Sequence, residues 1–297
     1  MSRIAIIGGG NIGEALLTGL LRAGRRAKDI VVSERVEARA RYLADQHGVR
    51  VADVADTVRN ADFVIVAVKP SDVGPVTAEI ADAIAHAPGD AREQVVVSVA
   101  AGVTSAYYES KLPAGTPVIR VMPNAPMVVG AGVSAIASGR FAGQEQLEGV
   151  AALFDSVGGV LTVPESQLDA VTALSGSGPG YFFLVVEALV DGGVAAGLSR
   201  SVATDLVVQT MAGSAAMLLD RMSRTGGSGP DVDTAPGADV DTTPDTTPAQ
   251  LRAVITSPGG TTAAGLAELE KGGLRAALAA AIQAAKTRSE QLGITSE

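Results

Sequence analysis

Three glycines near the amino terminus stand at the spacing of a phosphate-binding turn. Gly8, Gly10 and Gly13 form the pattern G-x-G-x-x-G between a short apolar run and a segment with helical spacing. In such a turn the first glycine permits a tight bend, the second lets the backbone approach a pyrophosphate, and the third lets helix and strand pack closely. The start of the helix then offers unpaired N–H groups to an anion. The pattern predicts a dinucleotide site, and a glycine-rich turn without a ligand is the alternative.

The residues about twenty positions beyond this turn bear on which dinucleotide binds, because they meet the adenosine ribose. Ser33 ends the second predicted strand, and Glu34 and Arg35 follow it. Glu34 would accept hydrogen bonds from an unmodified ribose and favours NADH. Ser33, Arg35 and Arg39 could hold the 2′-phosphate of NADPH, although Arg39 could equally be a solvated helix residue. The sequence leaves the choice of coenzyme open.

Several other segments combine small and polar residues in ways that suit a ligand site. Three of them, Ala67–Pro70, Ala100–Gly102 and Arg120–Pro126, follow predicted strands, at the edge where ligands of parallel sheets bind. Two more, Leu174–Pro179 and Thr256–Thr262, lie in the second half of the chain.

The first half of the chain alternates strand-like runs with segments of helical spacing. Strands are predicted at Arg3–Ile7, Ile30–Ser33, Phe63–Val68, Val95–Val99, Val118–Met122 and Val133–Ile136, and helices at Asn11–Ala23 and Val36–His47. This alternation predicts an α/β fold with a parallel, doubly wound sheet of the Rossmann type.

From Pro164 onward the chain is rich in Ala, Leu and Gly at helical spacing. Helices are predicted at Glu165–Leu174, Gly180–Gly193, Arg200–Met222, Thr261–Lys271 and Leu274–Leu292. We therefore predict a dinucleotide-binding domain over residues 1–163 and an all-helical domain over residues 164–297. Within the latter, Ser223–Pro248 has almost no large apolar residue and cannot offset its ordering entropy, which predicts a flexible surface loop.

Composition narrows the class of protein further. The 297 residues are 47% hydrophobic and carry a net charge of -9, which disfavours nonspecific binding to nucleic acid. The absence of cysteine excludes thiolate metal sites and fits a reducing compartment, and the two isolated histidines suggest no metal site. Ser2 and Arg3 lead straight into a strand, and no apolar run reaches the roughly 18 residues of a membrane span. We expect a cytoplasmic protein without a membrane or nucleic-acid partner.

Together these segments resemble the pyrroline-5-carboxylate reductase family, in order along nearly the whole chain. The stretches Ser257–Thr262 (Ser-Pro-Gly-Gly-Thr-Thr) and Ser175–Pro179 (Ser-Gly-Ser-Gly-Pro) are far more specific than the glycine turn. The chain departs from the family at Ser223–Pro248, where the usual connection is shorter, and at Ala125, where the family often has Thr.

The resemblance implies an enzyme that reduces 1-pyrroline-5-carboxylate to L-proline, the last step of proline biosynthesis. The family transfers hydride from NAD(P)H, mostly NADPH, to the C=N carbon. Because an iminium is already a strong electrophile, such an enzyme needs no catalytic His or Cys and acts mainly by holding the two reactants in position.

The resemblance also assigns site residues. Thr262 would be the catalytic residue at the ring nitrogen, Glu165 would approach the same nitrogen, and the substrate carboxylate would be surrounded by Ser257, Gly260 and Thr261. Helix capping is the alternative role for Ser257 and Thr261. The cofactor-binding residues would be Ile7, Gly8, Gly9, Gly10, Asn11, Ile12, Gly13, Ser33, Glu34, Arg35, Val68, Lys69, Pro70, Val99, Ala101 and Asn124.

Two of these residues have an alternative role. Lys69 could donate a proton, but its backbone could also simply line the nicotinamide, and we favour the latter because only a perturbed lysine serves well in proton transfer. Asn124 could position a loop by capping a turn.

In the resembled family the glycine-containing helices form an intertwined dimer, so we expect a homodimer or a higher homo-oligomer. Two other classes of protein remain possible. A β-hydroxyacid-type dehydrogenase would need a catalytic lysine in the helical half, where only Lys271 and Lys286 occur. A non-catalytic dinucleotide-binding regulator would not need the Ser257–Thr262 loop.

Overall fold

Eight short strands, rich in Val and Ile, form a single sheet in the first half of the chain. The computed structural model describes residues 2–86, 93–224 and 247–293. The strands are β1 (Ile4–Ile7), β2 (Ile30–Ser33), β3 (Arg50–Ala52), β4 (Phe63–Val66), β5 (Val95–Ser98), β6 (Val118–Met122), β7 (Gly132–Ser138) and β8 (Gly158–Thr162).

The strand order is β3-β2-β1-β4-β5-β6-β7-β8, with parallel pairing from β3 through β6. The chain therefore begins in the middle of the sheet and winds first to one side and then to the other. This arrangement confirms the predicted Rossmann-type fold. It also brings the ends of β1, β2, β4, β5 and β6 to one edge of the sheet.

Strand β7 departs from the all-parallel sheet that the sequence predicts. It pairs with β6 in the antiparallel direction, and β8 then pairs with β7 in parallel. The reason lies in the connection between β6 and β7, which contains only a short 3-10 helix, Ala125–Val129. A parallel crossover needs a dozen or more residues, so this connection can only reverse the chain.

Helices cover both faces of the sheet. Those of the first half are α1 (Asn11–Arg22), α2 (Glu37–His47), α3 (Val54–Val58), α4 (Val73–Ala85), α5 (Ser105–Glu109) and α6 (Gln144–Asp155). Of the buried apolar clusters, the two largest contain Leu16, Leu20 and Phe154, and Val73, Ile80 and Tyr108, respectively. Since the strands are buried on both sides, they consist of nearly continuous apolar runs.

The second half of the chain is helical. Its helices are α7 (Leu168–Val171), α8 (Gly178–Ala195), α9 (Arg200–Arg224), α10 (Thr247–Val254), α11 (Thr261–Lys271) and α12 (Leu274–Leu292). The described residues form two compact units, of which the first comprises those up to Pro179 and those from Ala284 onward, and the second lies within Gly180–Gln283. The domain boundary at residue 164 stays a prediction.

Two predicted segments of the helical half need correction. The single helix expected at Glu165–Leu174 consists of a 3-10 turn (Glu165–Gln167), α7 and a π-helix (Thr172–Gly176). Such π-helical turns are single-turn irregularities that often occur at functional sites.

The loop predicted at Ser223–Pro248 is helical at both ends. Helix α9 continues through Arg224, and α10 begins at Thr247 with Pro248 in its first turn. Proline is tolerated at this position because the N–H groups of the first turn have no acceptor within the helix. The rest of the predicted loop lies outside the described residues, and its flexibility stays a prediction.

Two helical stretches, Glu165–Ala195 and Arg200–Met222, are long and apolar enough to cross a membrane. The sequence does not predict them, because scattered polar residues interrupt the apolar run in both stretches. Length and composition alone do not indicate a membrane, since core helices of soluble proteins can be equally long and apolar. Phe182, Phe183 and Leu184 of α8 are mostly exposed in the single chain.

Candidate active site

The glycine turn connects β1 to α1 in a conformation that requires its glycines. Gly8 has a φ of +106°, and a Cβ there would lie 2.7 Å from the carbonyl oxygen of Ala67. A Cβ at Gly13 would overlap the carbonyl oxygen of Gly8. The first and last glycines of the pattern therefore serve the tight bend and the close packing of helix on strand.

The middle glycine faces open space instead. A Cβ at Gly10 would meet no atom of residues 2–86, 93–224 and 247–293 within 4 Å. Among the described residues, no acceptor takes a hydrogen bond from the backbone N–H groups of Gly10, Asn11, Ile12 or Gly13. Space beside a row of free N–H groups at a helix start is what a diphosphate requires. The residues of the turn therefore fit a dinucleotide.

The side chains of Glu34 and Arg39 form hydrogen bonds with the backbone of the glycine turn. The Gly9 N–H donates to Glu34 Oε2 at 3.0 Å, and Arg39 Nε donates to the Gly9 carbonyl oxygen at 2.8 Å. The other carboxylate oxygen of Glu34 accepts from the N–H of Val36 at 2.8 Å. Both side chains thus fix a peptide group of the turn, a function that the sequence pattern did not reveal.

A further carboxylate, Glu14 in the first turn of α1, links this network to α2. It contacts Arg39 in a short ion pair and lies 3.2 Å from His47 Nε2. Burial would raise the pKa of Glu14, but the hydrogen bonds from His47 and Arg39 outweigh that effect and lower it. The helix that presents the phosphate-binding turn is therefore tied to its neighbour by a charged network.

The other predicted cofactor residues of the first unit follow the neighbouring strands. Val68 lies beside Gly8, since its Cγ1 would be 3.0 Å from a Cβ at that position. Lys69 and Pro70 continue from β4, and the Lys69 side chain is exposed with no hydrogen-bond or ion-pair partner among the described residues. Val99 and Ala101 follow β5.

Asn124 follows β6 and is 9% exposed. Its Oδ1 accepts from the N–H of Val133 at 2.9 Å, and its Nδ2 lies 3.3 Å from Ser175 Oγ. It thus ties the β6–β7 connection to the π-helix. The predicted cofactor residues from Ile7 to Asn124 all follow or end strands at the same edge of the sheet.

Glu165 lies in the first unit and is bound by two residues that the sequence reasoning missed. Its Oε1 accepts from the N–H of Ser105 at 2.7 Å and from Arg120 at 2.9 Å, and its Oε2 accepts from Ser105 Oγ at 2.6 Å. Burial would raise the pKa of Glu165, but the hydrogen bonds from Ser105 and Arg120 prevail and lower it. The carboxylate is therefore held ionised as a brace between α5 and β6.

A signal for this brace is present in the sequence. Arg120 stands in the middle of the apolar run Val118–Met122, and it is 5% exposed. A guanidinium buried in a central strand must have an ionised partner. The sequence thus indicates that Arg120 has a carboxylate partner, but not which acidic residue provides it.

The predicted substrate residues other than Glu165 lie together in the second unit, at the start of α11. Gly259 has a φ of +68°, and the N–H of Gly260 donates to the Ser257 carbonyl oxygen at 3.0 Å, which closes a tight turn. The N-cap of α11 is Gly260 and receives no side-chain hydrogen bond, so neither Ser257 nor Thr261 caps the helix. The capping alternative for these two residues is wrong because glycine occupies the N-cap position.

This turn leaves several hydrogen-bonding groups free. No acceptor among the described residues takes a hydrogen bond from the N–H groups of Thr261, Thr262 or Ala263. The Ser257 and Thr261 residues are exposed, and Thr262 is partly buried. The start of α11 can therefore receive a small anion.

The alternative of a β-hydroxyacid-type dehydrogenase depends on a lysine in the helical half. Lys271 and Lys286 are paired with Glu268 and Glu290 on their own helices, at 3.2 and 2.7 Å. No group of three or more His, Asp or Glu side chains that could hold a metal ion occurs in the described part of the chain.

The fold and the site define a Rossmann-type dinucleotide-binding protein with a helical second half. A family model described as pyrroline-5-carboxylate reductase dimerisation matches residues 165–292, and one described as NADP oxidoreductase, coenzyme F420-dependent, matches residues 3–102. A pyrroline-5-carboxylate reductase of Mycobacterium tuberculosis is 66% identical over 297 residues, which cover 100% of this chain and 99% of the relative. The chain belongs to the pyrroline-5-carboxylate reductase family.

Solved structures agree with this assignment. A pyrroline-5-carboxylate reductase from Coxiella burnetii has a TM-score of 0.81 at 32% identity, and the similarity covers 99% of both chains. A pyrroline carboxylate reductase from Plasmodium falciparum with NADP bound has a TM-score of 0.77 at 27% identity over 98% of both chains.

Proposed function

We propose that this chain reduces 1-pyrroline-5-carboxylate to L-proline with a hydride from NAD(P)H, as the last step of proline biosynthesis. The observation that carries the proposal is the full-length identity of 66% to a relative named for this reaction. When bound, the coenzyme supplies the hydride, which forms the new C–H bond while the C=N electron pair passes to nitrogen. The protein's part is to bind and orient the reactants.

We propose that the free N–H groups from Gly10 to Gly13 bind the coenzyme diphosphate. NADPH is the proposed coenzyme, with NADH also accepted. The NADP oxidoreductase family model and the NADP bound to the Plasmodium falciparum relative support NADPH. Arg35 supports it too, since its only hydrogen-bond partner among the described residues is the exposed Glu79, and an exposed pair of this kind holds it weakly.

Substitution of Arg35 tests this assignment. Arg35→Ala should raise KM for NADPH severalfold and leave KM for NADH unchanged, because only NADPH carries the 2′-phosphate. Arg41→Ala is the matched control, since Arg41 is an exposed arginine of α2 that pairs with Glu37. Equal effects of Arg35→Ala on both coenzymes would contradict the proposed contact.

We propose that the start of α11 binds the substrate carboxylate. Ser257, Gly260 and Thr261 would surround the carboxylate, and the partly buried Thr262 hydroxyl would hydrogen-bond the ring nitrogen. The support is the set of unpaired N–H groups at this helix start together with the absence of a side-chain cap. Glu165 would approach the same nitrogen, because its two oxygens accept three hydrogen bonds from Ser105 and Arg120 and a carboxylate can accept about four.

Thr262→Ala provides the sharpest test of the substrate residues. It should lower kcat/KM for pyrroline-5-carboxylate about tenfold or more, since a hydrogen bond to a charged group is lost, while coenzyme affinity is retained. Thr262→Ser should restore most of the activity. Thr256→Ala is the control, because the Thr256 hydroxyl already donates to the Arg252 carbonyl oxygen. Unchanged kinetics in Thr262→Ala would remove the assigned role.

We also propose that the protein acts as a homodimer or larger homo-oligomer in the cytoplasm. A dimerisation family model covers residues 165–292, and large apolar side chains of α8 and α9 are exposed in the single chain. Burying such a surface against a second copy would remove its cost in water.

A further inference from the structure

The last turn of α12 packs directly against the turn that follows β5. Gly102 has a φ of +76°, and a Cβ there would lie 2.7 Å from the N atom of Gly293 and 3.0 Å from the carbonyl oxygen of Ser289. Conversely, a Cβ at Gly293 would lie 2.9 Å from the Gly102 carbonyl oxygen. The two backbones therefore touch with no room for a side chain, and both belong to the first unit.

A buried hydroxyl fixes this helix end in place. Ser289 is 3% exposed and is the buried residue of α12, most of whose other residues are exposed. Its Oγ donates to Asp169 Oδ1 at 2.6 Å. A partly buried hydrogen bond to an ionised carboxylate is stronger than one between neutral groups, so it fixes where the helix end lies relative to α7.

A second attachment, through Ser105, holds the residues that follow Gly102. Ser105 follows Gly102 by three residues and is bound through its N–H and its hydroxyl to Glu165. Glu165 stands one turn before Asp169, the partner of Ser289. Residues 102–105 are thus fixed at two points, and both attachments lead to the segment 165–169.

We propose that Ser289, through its bond to Asp169, is a positioning residue for the nicotinamide end of the coenzyme site. It holds α12 against Gly102 and thereby sets the position of the turn Ala100–Gly102, whose Ala101 is proposed to contact the coenzyme. This turn follows β5, which lies on the opposite side of β1 from β2 and its ribose-contacting residues, so a coenzyme whose diphosphate lies at the glycine turn would meet it with the nicotinamide. The inference rests on the proposed function of this edge of the sheet. Ser289 itself touches neither coenzyme nor substrate.

Ser289→Ala in the full chain tests the proposal. We expect kcat/KM for NADPH to fall by up to about fivefold, the factor that corresponds to the roughly 1 kcal/mol that one hydrogen bond contributes to holding the turn in place. The fluorescence of bound NADPH should change, because it reports the surroundings of the nicotinamide. The affinity for ADP, which lacks a nicotinamide, should stay unchanged, because ADP meets only the glycine turn and its neighbours.

Substitutions of the partner residue provide a rescue test. Asp169→Asn keeps an oxygen acceptor for Ser289 and should retain most of the normal kinetics, whereas Asp169→Ala should behave like Ser289→Ala. The double variant should be no worse than either single one, because the two residues act as one unit. Gln291→Ala is the control, since Gln291 is exposed in the same helix turn.

Three results would overturn the proposal: unchanged NADPH kinetics and fluorescence in Ser289→Ala, an equal loss of ADP affinity, or additive effects of the two substitutions. If Ser289→Ala does not fold, the comparison of Asp169→Asn with Asp169→Ala decides the question. A lack of pyrroline-5-carboxylate turnover in the unsubstituted protein would count against the proposed function instead. NADPH fluorescence and ADP affinity would still test the positioning role in that case.

Discussion

At the scale of single residues, the glycines of the first turn have two physically different roles. Gly13 is required by the folded chain itself, because any side chain would overlap the Gly8 carbonyl oxygen. Gly10 is not, because no atom in the described part of the chain would lie within 4 Å of a Cβ there. The space at Gly10 is therefore available to a ligand, which is the role that the sequence pattern predicts.

This difference leads to a prediction on paired variants. Gly13→Ala should destabilise the fold by about 1–3 kcal/mol, the usual cost of overpacking. Gly10→Ala should leave the melting temperature nearly unchanged and weaken coenzyme binding tenfold or more. Calorimetry and coenzyme titration measure the two effects. Normal coenzyme affinity in Gly10→Ala would contradict the assignment of this space to the diphosphate.

A second residue-scale prediction concerns Glu165 and pH. Its pKa in the folded protein is lowered below the ordinary 4.5, so the ionised form contributes stability above that pH. That contribution is lost as the pH falls through the lowered pKa. The stability difference between the unsubstituted protein and Glu165→Gln should therefore be largest at neutral pH and shrink in acid.

Urea unfolding at a series of pH values measures this difference. Glu145→Gln is a suitable control, because Glu145 is an exposed carboxylate of α6. A difference that is independent of pH down to strong acid would show that the Arg120–Glu165 brace does not stabilise the fold.

At the scale of elements, Asn124 illustrates how one side chain joins two of them. It is buried and bonds the N–H of Val133, at the start of β7, and Ser175 in the π-helix. Asn124→Ala would leave the partly buried N–H of Val133 without its partner and should cost about 1–3 kcal/mol. Gln144→Ala, which loses only an exposed bond to Glu148, is the control. Equal melting temperatures for the two variants would contradict this account.

The elements also show how far the sequence could predict the fold. Strands such as Ile30–Ser33 and Val118–Met122 have the predicted bounds, because buried parallel strands are apolar runs that periodicity detects. The direction of β7 depends on the length of a connection, and the π-helix depends on tertiary packing. Neither leaves a periodic signal in the sequence.

The candidate site likewise has features that the sequence could predict and contacts that it could not. The glycine turn and the Ser257–Thr262 loop could be located, because backbone requirements restrict residue types at fixed spacing. The Glu165–Ser105 contact joins residues 60 positions apart, and the Ser289–Asp169 contact joins residues 120 apart. No local pattern could indicate these contacts.

At the scale of the whole molecule, the helical half explains why two stretches resemble membrane spans. Phe183 and Leu184 are each 65% exposed in the single chain. We predict that the protein sediments as a dimer or larger assembly without detergent, and that Phe183→Glu shifts it toward the monomer. Leu161→Glu, at an exposed position of β8, should not. A detergent-free monomer in sedimentation would contradict the proposed assembly.

The central claim, reduction of a cyclic imine by hydride transfer, has a direct test. The protein would be incubated with 1-pyrroline-5-carboxylate and NADPH that carries deuterium at both positions of nicotinamide carbon 4, and the product analysed by mass spectrometry and NMR. The account predicts L-proline that carries deuterium on the ring carbon that was double-bonded to nitrogen. Absence of proline with both NADPH and NADH, or proline without that deuterium, would contradict it.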